Sequence, residues 1–333
     1  MFKECTRILA TLGIAAMLVS PANAQVVLRG SGAFTEGHTA SKAMDAFKKK
    51  VEERSKGEIR VDLFHNNKLG GSYEQVDQLR AGQIAMLWTG PNWFTGLIPQ
   101  VDLANLPFSS ADAKMAFCVM DTGLSGLLGP KFDEKNILVL GWGANGPRHV
   151  TNNRRPIKTL EDFKGLKIRV TPGDLNLATF RSVGAVPTPL DISELHQALQ
   201  QGVVDGQENP YGNIAARRFN EVQKYLSNTG HFYSYVGFFM HKPTFENLSP
   251  EHKKIISEVM AETITDQRTA AGTENEASLK ELIKRGMQYD EIPAAELAKF
   301  REATKPAYDI VRKKVGDGDM DAMMATIEKC AGK

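Results

Sequence analysis

Cysteine is scarce: Cys5, Cys118 and Cys330 are the three in 333 residues. That number cannot build a disulfide scaffold, and Cys118 and Cys330 lie too far apart for a metal-finger spacing. A long hydrophobic run is missing too, since Ile8–Val19 falls short of the roughly 20 residues that cross a bilayer. No excess of one charge exists: 41 Lys+Arg face 39 Asp+Glu, a net +2. Nucleic acid or an anionic membrane surface is therefore excluded as the main partner, and strong electrostatics must be local, in a pocket. The seven histidines include no pair four apart, which removes His-Glu-x-x-His zinc chemistry. No metal site and no cofactor is expected.

What is present begins with an address. Lys3 and Arg7 precede the apolar run, and Ala22-Asn23-Ala24 supplies a small-x-small cleavage pattern. Residues 1–24 read as a secretory signal peptide, cleaved after Ala24. Its loss removes Lys3, Arg7 and Glu4, so the net charge becomes +2 − 1 = +1. The mature chain keeps Cys118 and Cys330, which an oxidising compartment could pair; their spacing does not decide it.

The remaining length suits about two domains of roughly 150 residues. Strands are expected at Val26–Arg29, Ile59–Phe64 and Ile84–Trp88, with the Gly-rich turn Gly30-Ser31-Gly32 after the first. Helices over Ser41–Ser55 and Tyr73–Arg80 alternate with them, the signature of a parallel α/β sheet. Asp112–Leu128 reads as a helix and Ile137–Leu140 as a buried strand. The pattern then restarts with strands at His149–Thr151 and Leu166–Val170, helices at Asp174–Val183 and Ser193–Gln201, and a brief strand at Val203–Val204. A long helix is expected over Ser249–Arg285, apolar on one stripe early and polar nearly all round at Thr265–Ser278, as in a helix that bridges domains. Tyr289–Pro293 and the helix Ala294–Val315 follow.

Motifs for chemistry fail. Gly123-Leu124-Ser125-Gly126-Leu127 lacks the last glycine of a nucleophile elbow. Gly141-Trp142-Gly143-Ala144-Asn145-Gly146 matches G-x-G-x-x-G, but Pro147 and a strand-like segment follow where a dinucleotide site needs a helix. Two arginines stand out instead. Arg169 sits between Ile168 and Val170, so alternation puts it on the face opposite to theirs. There it needs either an acidic partner or a ligand at the strand's C-terminal edge, where open α/β sheets bind ligands. Arg148 follows Asn145-Gly146-Pro147 at a domain crossover, where a solvated hinge residue is the alternative. An arginine fork suits a carboxylate because it donates two parallel hydrogen bonds. Asp205–Pro210 is a polar run fit to cap a helix or turn, and Trp88, Asn92 and Trp93 cluster in one loop.

Three blocks carry a resemblance: Phe163–Val170, Gly184–Pro189 and Ala198–Pro210. In order and spacing they resemble the substrate-binding proteins of TRAP transporters, the DctP-like family. The resemblance implies an α/β, two-lobed periplasmic binding protein fold with a ligand cleft between lobes and a long helix spanning both. It implies lobe I at 25–146 plus 235–274 and lobe II at 147–234 plus 275–333. By the same resemblance Arg169 grips the substrate carboxylate, Arg148 and Asn209 assist, and Trp88–Asn92 lines the pocket. Two departures from the sialic-acid-binding members stand out: Gly90 replaces an acidic pocket residue, and Asp191-Ile192 replaces a small residue and an aromatic. They point to a smaller, hydroxylated acid with Asp191 accepting from it; Asp191 as a capping neighbour of Ser193 is the alternative. The function implied is a periplasmic receptor, a monomer, that delivers a small carboxylate to TRAP membrane permease subunits. The rival is a secreted enzyme acting on small organic acids in the same cleft.

Overall fold

The computed structural model describes residues 25–332; the expected signal segment lies outside the described residues. The first strands in chain order are β1 (Val26–Gly32), β2 (Ile59–Phe64), β3 (Met86–Thr89) and β4 (Ile137–Pro147). Next come β5 (His149–Asn152), β6 (Lys167–Val170), β7 (Val186–Pro189), β8 (Gly206–Asn209) and β9 (Tyr225–Asn228). The last two are β10 (Tyr233–His241) and β11 (Gln288–Glu291). They form two sheets, ordered β2-β1-β3-β10-β4 and β11-β9-β5-β8-β6-β7. The chain passes between the sheets at β4–β5 and again at β9–β10, so each sheet needs both halves of the sequence.

Helices pack on the apolar strand faces of both sheets. Met44, Phe47 and Val51 of the helix Thr39–Arg54 pack on Val61 and Trp88, with Ile256 and Val259 of the long helix beside them. Phe94, Phe132 and Phe239 interlock on the other face, ring centroids 4.7–5.0 Å apart. In the second sheet, Ile168 and Val170 bury against Phe163, Phe180 and Phe300. The long helix, Pro250–Lys284, starts in the first sheet's core and ends with Leu282 in the second's. Its polar middle is partly buried: Gln267, 1% exposed, bonds both backbone groups of Ala144 at 2.8 and 2.7 Å. Polar residues thus serve as a clip onto β4, not only as a solvated bridge.

Several expectations change. The glycines after Arg29 continue β1 instead of turning, because Gly32 lies directly beneath the Trp88 ring. The expected helix Asp112–Leu128 is Ala113–Val119, a π turn over Met120–Leu124 and Ser125–Asp133. The expected strand at Val203–Val204 shifts to the polar residues of β8, which are all buried. Pro306 divides the expected helix Ala294–Val315 into Ala294–Thr304 and Pro306–Val315, since proline lacks the amide a continuing helix needs. The division expected from sequence gives 275–333 to the second lobe. From its last two helices, Pro306–Val315 and Asp317–Ala331, the residues Ala307, Val311, Met320 and Cys330 instead join one core cluster with Phe94 and Phe132 beside the first sheet. Pro306–Val315 also packs on the helix Asp174–Ser182 of the second. A disulfide, Cys118–Cys330, fastens the final helix there.

Candidate functional site

Arg169 is where alternation puts it. Ile168 and Val170 are fully buried in the core, and the arginine leaves the opposite face of β6. It is 1% exposed, and among the described residues no carboxylate forms an ion pair with it. Its Nε and Nη2 both donate to the Leu190 carbonyl, at 2.8 and 2.6 Å. Burial pulls its pKa down to about 9; Glu208 opposes the shift and Arg148 adds to it. The group is still cationic near neutrality, in a place where an unpaired charge is costly. An anion is what the position lacks.

Arg148, at the β4–β5 crossing, has its counter-charge built in. Glu208 of β8 takes its Nε in a very short contact and its Nη2 at 2.8 Å, and the Glu208 carbonyl takes Nη2 at 2.6 Å. His231 adds a contact to Glu208 at 3.2 Å. Burial alone would raise the Glu208 pKa, but the charge of Arg148 and the bonds from His231 and Arg148 hold it down to about 2. Arg148 also reaches Asn209 Oδ1 at 3.2 Å and Ser234 Oγ at 3.4 Å. Asn209 is fixed in turn by Gln207 and Asn213.

Arg169, Arg148, Asn209 and Asn92 meet around one cavity between the two sheets. Thr171, Asn213, Arg217 and Ile192 complete the second-sheet wall; Ala33, Phe34, Thr89, Gly90 and Trp93 form the facing wall. Asn145 and Ser234 close the hinge side. Three arginines and no carboxylate line the space. At Gly90 a Cβ would sit 2.4 Å from Asn92 Oδ1, so the missing side chain lets the Asn92 amide fold back on its own loop.

Two expected residues lie elsewhere. Trp88 is fully buried in the first sheet's core, its ring over Gly32 and edge-on to His65, so it supports the loop without touching the cavity. Asp191 does not line the cavity either: Oδ1 takes the Ser193 amide and hydroxyl at 2.9 and 2.7 Å, and Oδ2 takes the Ser72 amide at 3.0 Å. The capping alternative describes it better than ligand contact. Burial pushes its carboxyl upward, yet the bonds from Ser193 and Ser72 hold it below its ordinary value.

Sequence reasoning missed Arg217, Thr89 and the part played by Glu208. Arg217 ends the helix Tyr211–Ala216 and donates across the cleft to the Ala33 carbonyl. Thr89 is 1% exposed and its hydroxyl has no partner. Glu208 was visible only as part of a polar run, and its pairing with a residue 60 positions away leaves no local signal. Among the described residues no cluster of His, Cys, Asp or Glu could hold a metal ion.

Residues 30–314 match the family model described as bacterial extracellular solute-binding protein, family 7, DctP. The chain belongs to this family, whose members are periplasmic solute receptors of TRAP systems. It is 32% identical over 288 residues to the 2,3-diketo-L-gulonate-binding periplasmic protein YiaO of Escherichia coli K12, covering 86% of this chain and 87% of that one. It is also similar to the sugar acid binding protein DctPAm from Advenella mimigardefordensis, solved with galactonate. That match has a TM-score of 0.89 and 30% identity, covering 92% and 99% of the two chains. A TRAP periplasmic solute-binding protein from Polaromonas sp. JS666, bound to D-erythronate, matches with TM-score 0.85 and 30% identity over 90% and 99%.

Proposed function

We propose that this receptor binds a short hydroxylated monocarboxylic acid, of the aldonic or uronic class, with its carboxylate on Arg169. One observation carries the reading: Arg169 is buried against the cavity with no carboxylate of its own, while Arg148 beside it is already neutralised by Glu208. A bound carboxylate supplies the missing charge and accepts two parallel hydrogen bonds from the guanidinium. The amides and hydroxyls of Thr89, Asn92, Asn145, Thr171 and Asn213 suit a polyhydroxylated tail, and galactonate and D-erythronate in the related structures are of this kind. Asn209 and Arg148 hold the wall in shape, Arg148 offering its remaining donor to the acid.

The same reading makes the protein a carrier and not an enzyme, since Ser234 and the threonines of the wall have no base beside them. It further proposes export after cleavage at Ala24, two lobes that close on the ligand, and delivery to a membrane permease. The lobes follow the two sheets, with residues 306–331 moving with the first. Thermal unfolding with galactonate, D-erythronate, D-glucuronate, succinate and neutral galactitol tests the assignment. Sugar acids should raise the melting temperature and be recovered unchanged. A gain from galactitol equal to that from galactonate, or conversion of the acid, contradicts it.

A further inference from the structure

The helix Ser72–Arg80 begins with an unusual cap. Its N-cap is Gly71, which has no side chain to accept the first amides. Such orphan amides normally find a Ser, Thr, Asp or Asn immediately before them. Here the acceptor arrives from 119 residues away: Asp191 Oδ2 takes the Ser72 amide at 3.0 Å. Helix Ser72–Arg80 lies beside β3 of the first sheet, whereas Asp191 follows β7 of the second. The bond therefore crosses the cleft.

The loop that carries Asp191 is tied to the ligand site. Both Nε and Nη2 of Arg169 hold the carbonyl of Leu190, the residue before it. Ser193 engages Oδ1 by amide and hydroxyl, which fixes the side chain and leaves Oδ2 aimed at the other lobe. One chain of bonds thus runs from the carboxylate-binding arginine through Leu190 and Asp191 to the helix end opposite. We propose that Asp191 is a positioning residue for ligand capture: it clasps the two lobes shut by capping the helix at Ser72, on a loop set by Arg169. The inference rests on the proposed closure over an acid bound at Arg169. It gives Asp191 no contact with the ligand, so the clasp controls how long an acid stays and not which acid is chosen.

Ser72 allows a clean test from the far side. It is the first helical residue, where proline is tolerated, and Gly71 has the extended backbone that a following proline requires. Ser72→Pro deletes the amide donor, together with the hydroxyl that accepts from Asn67 Nδ2 at 3.2 Å, and leaves Asp191 intact. Ser72→Ala removes the hydroxyl alone as its control, and Asp191→Ala deletes the acceptor. Ser193→Ala loosens the loop while keeping the cross-cleft bond. Galactonate dissociation measured by stopped flow should quicken about tenfold in Asp191→Ala and in Ser72→Pro, with association little changed. The double variant should be no faster than either single, and Ser193→Ala should stay within about threefold of wild type. A dissociation rate unchanged in Asp191→Ala, or single effects that add in the double, overturns the clasp. Nitroxide labels at Asp77→Cys and Gln197→Cys read the closed share directly, with and without galactonate. A closed share that falls in Asp191→Ala in either condition supports the clasp, and one unchanged in both overturns it. Wild-type protein that binds no acid would instead remove the ligand reading, with the label distances still deciding the clasp.

Discussion

The two walls of the cavity are built from different chemistry. The second-sheet wall brings Arg148, Arg169 and Arg217: Glu208 holds Arg148, the Leu190 carbonyl holds Arg169 and the Ala33 carbonyl across the cleft holds Arg217, while Asn213 and Gln207 fix Asn209. The first-sheet wall brings no charge at all, only Ala33, Phe34, Thr89, Gly90, Asn92 and Trp93. Fixed positive charge on one side and neutral, partly unsatisfied groups on the other divide the work. In the proposed function the charged wall is the anchor for a carboxylate, and the neutral wall reads the rest of the molecule as the lobes close. Even within the charged wall two arginines differ. Arg148 is neutralised by Glu208 of the protein, whereas Arg169 has only the Leu190 carbonyl, and in the proposed function a ligand carboxylate supplies its counter-charge.

The largest effect should come from breaking the completed pair. Glu208→Gln leaves Arg148 buried without its counter-charge and should destabilise the unliganded fold by about 3–5 kcal/mol, read by urea unfolding. A loss under about 1 kcal/mol would erase the distinction between the two arginines. Acid acts more gradually, through histidines near both walls. His38, His149 and His231 all have depressed pKa values because burial penalises the imidazolium, His38 down to about 3. The folded protein takes up these protons less readily than the unfolded chain, which does so below about pH 6.5. Their contribution is complete above that pH and is lost as pH falls, by up to about 1.4 kcal/mol per pH unit for each histidine. Glu208, depressed to about 2, stays ionised across this window. Unfolding free energies at about pH 7.5 and about pH 5 should therefore drop with acidity, and a flat profile would contradict the burial of these rings. The smallest effect belongs to the neutral wall. Thr89→Val removes the partnerless hydroxyl with almost no change of shape. It should weaken galactonate by about three- to tenfold while leaving succinate unchanged. Equal losses for both acids would mean that Thr89 supports the wall without reading the ligand.

The sequence already showed much of this, unevenly. Strand alternation located Arg169 and its facing, because Ile168 and Val170 can bury only on one side of β6. The long helix was legible from its apolar start and polar middle. What escaped was long-range or buried on both faces. β10, an apolar run without a period of two, gives no strand signal distinct from a buried helix, and no strand is expected there from sequence. β8 reads as a turn because Gln207, Glu208 and Asn209 are polar, yet each is buried with a partner, Thr151 of β5 for Gln207 and Arg148 at the crossing for Glu208 and Asn209. Trp88 and Asp191 illustrate the converse: residue types that suit a pocket, drawn away by a glycine in the neighbouring strand and by a helix end across the cleft.

The central claim is that the charge of Arg169, bonded in the protein to the Leu190 carbonyl alone, is completed by a ligand carboxylate. Titration calorimetry with galactonate, paired with unliganded melting, on wild type, Arg169→Ala and Arg169→Lys tests it most directly. Arg169→Ala should lose about 2–5 kcal/mol of binding, roughly 30- to 3,000-fold in affinity, and Arg169→Lys much of that, because an ammonium cannot present two parallel donors. Unliganded melting should change little, since the group removed has no carboxylate partner in the fold. Binding by Arg169→Ala within about threefold of wild type, together with a large fall in the unliganded melting temperature, would make Arg169 a structural residue and contradict the account.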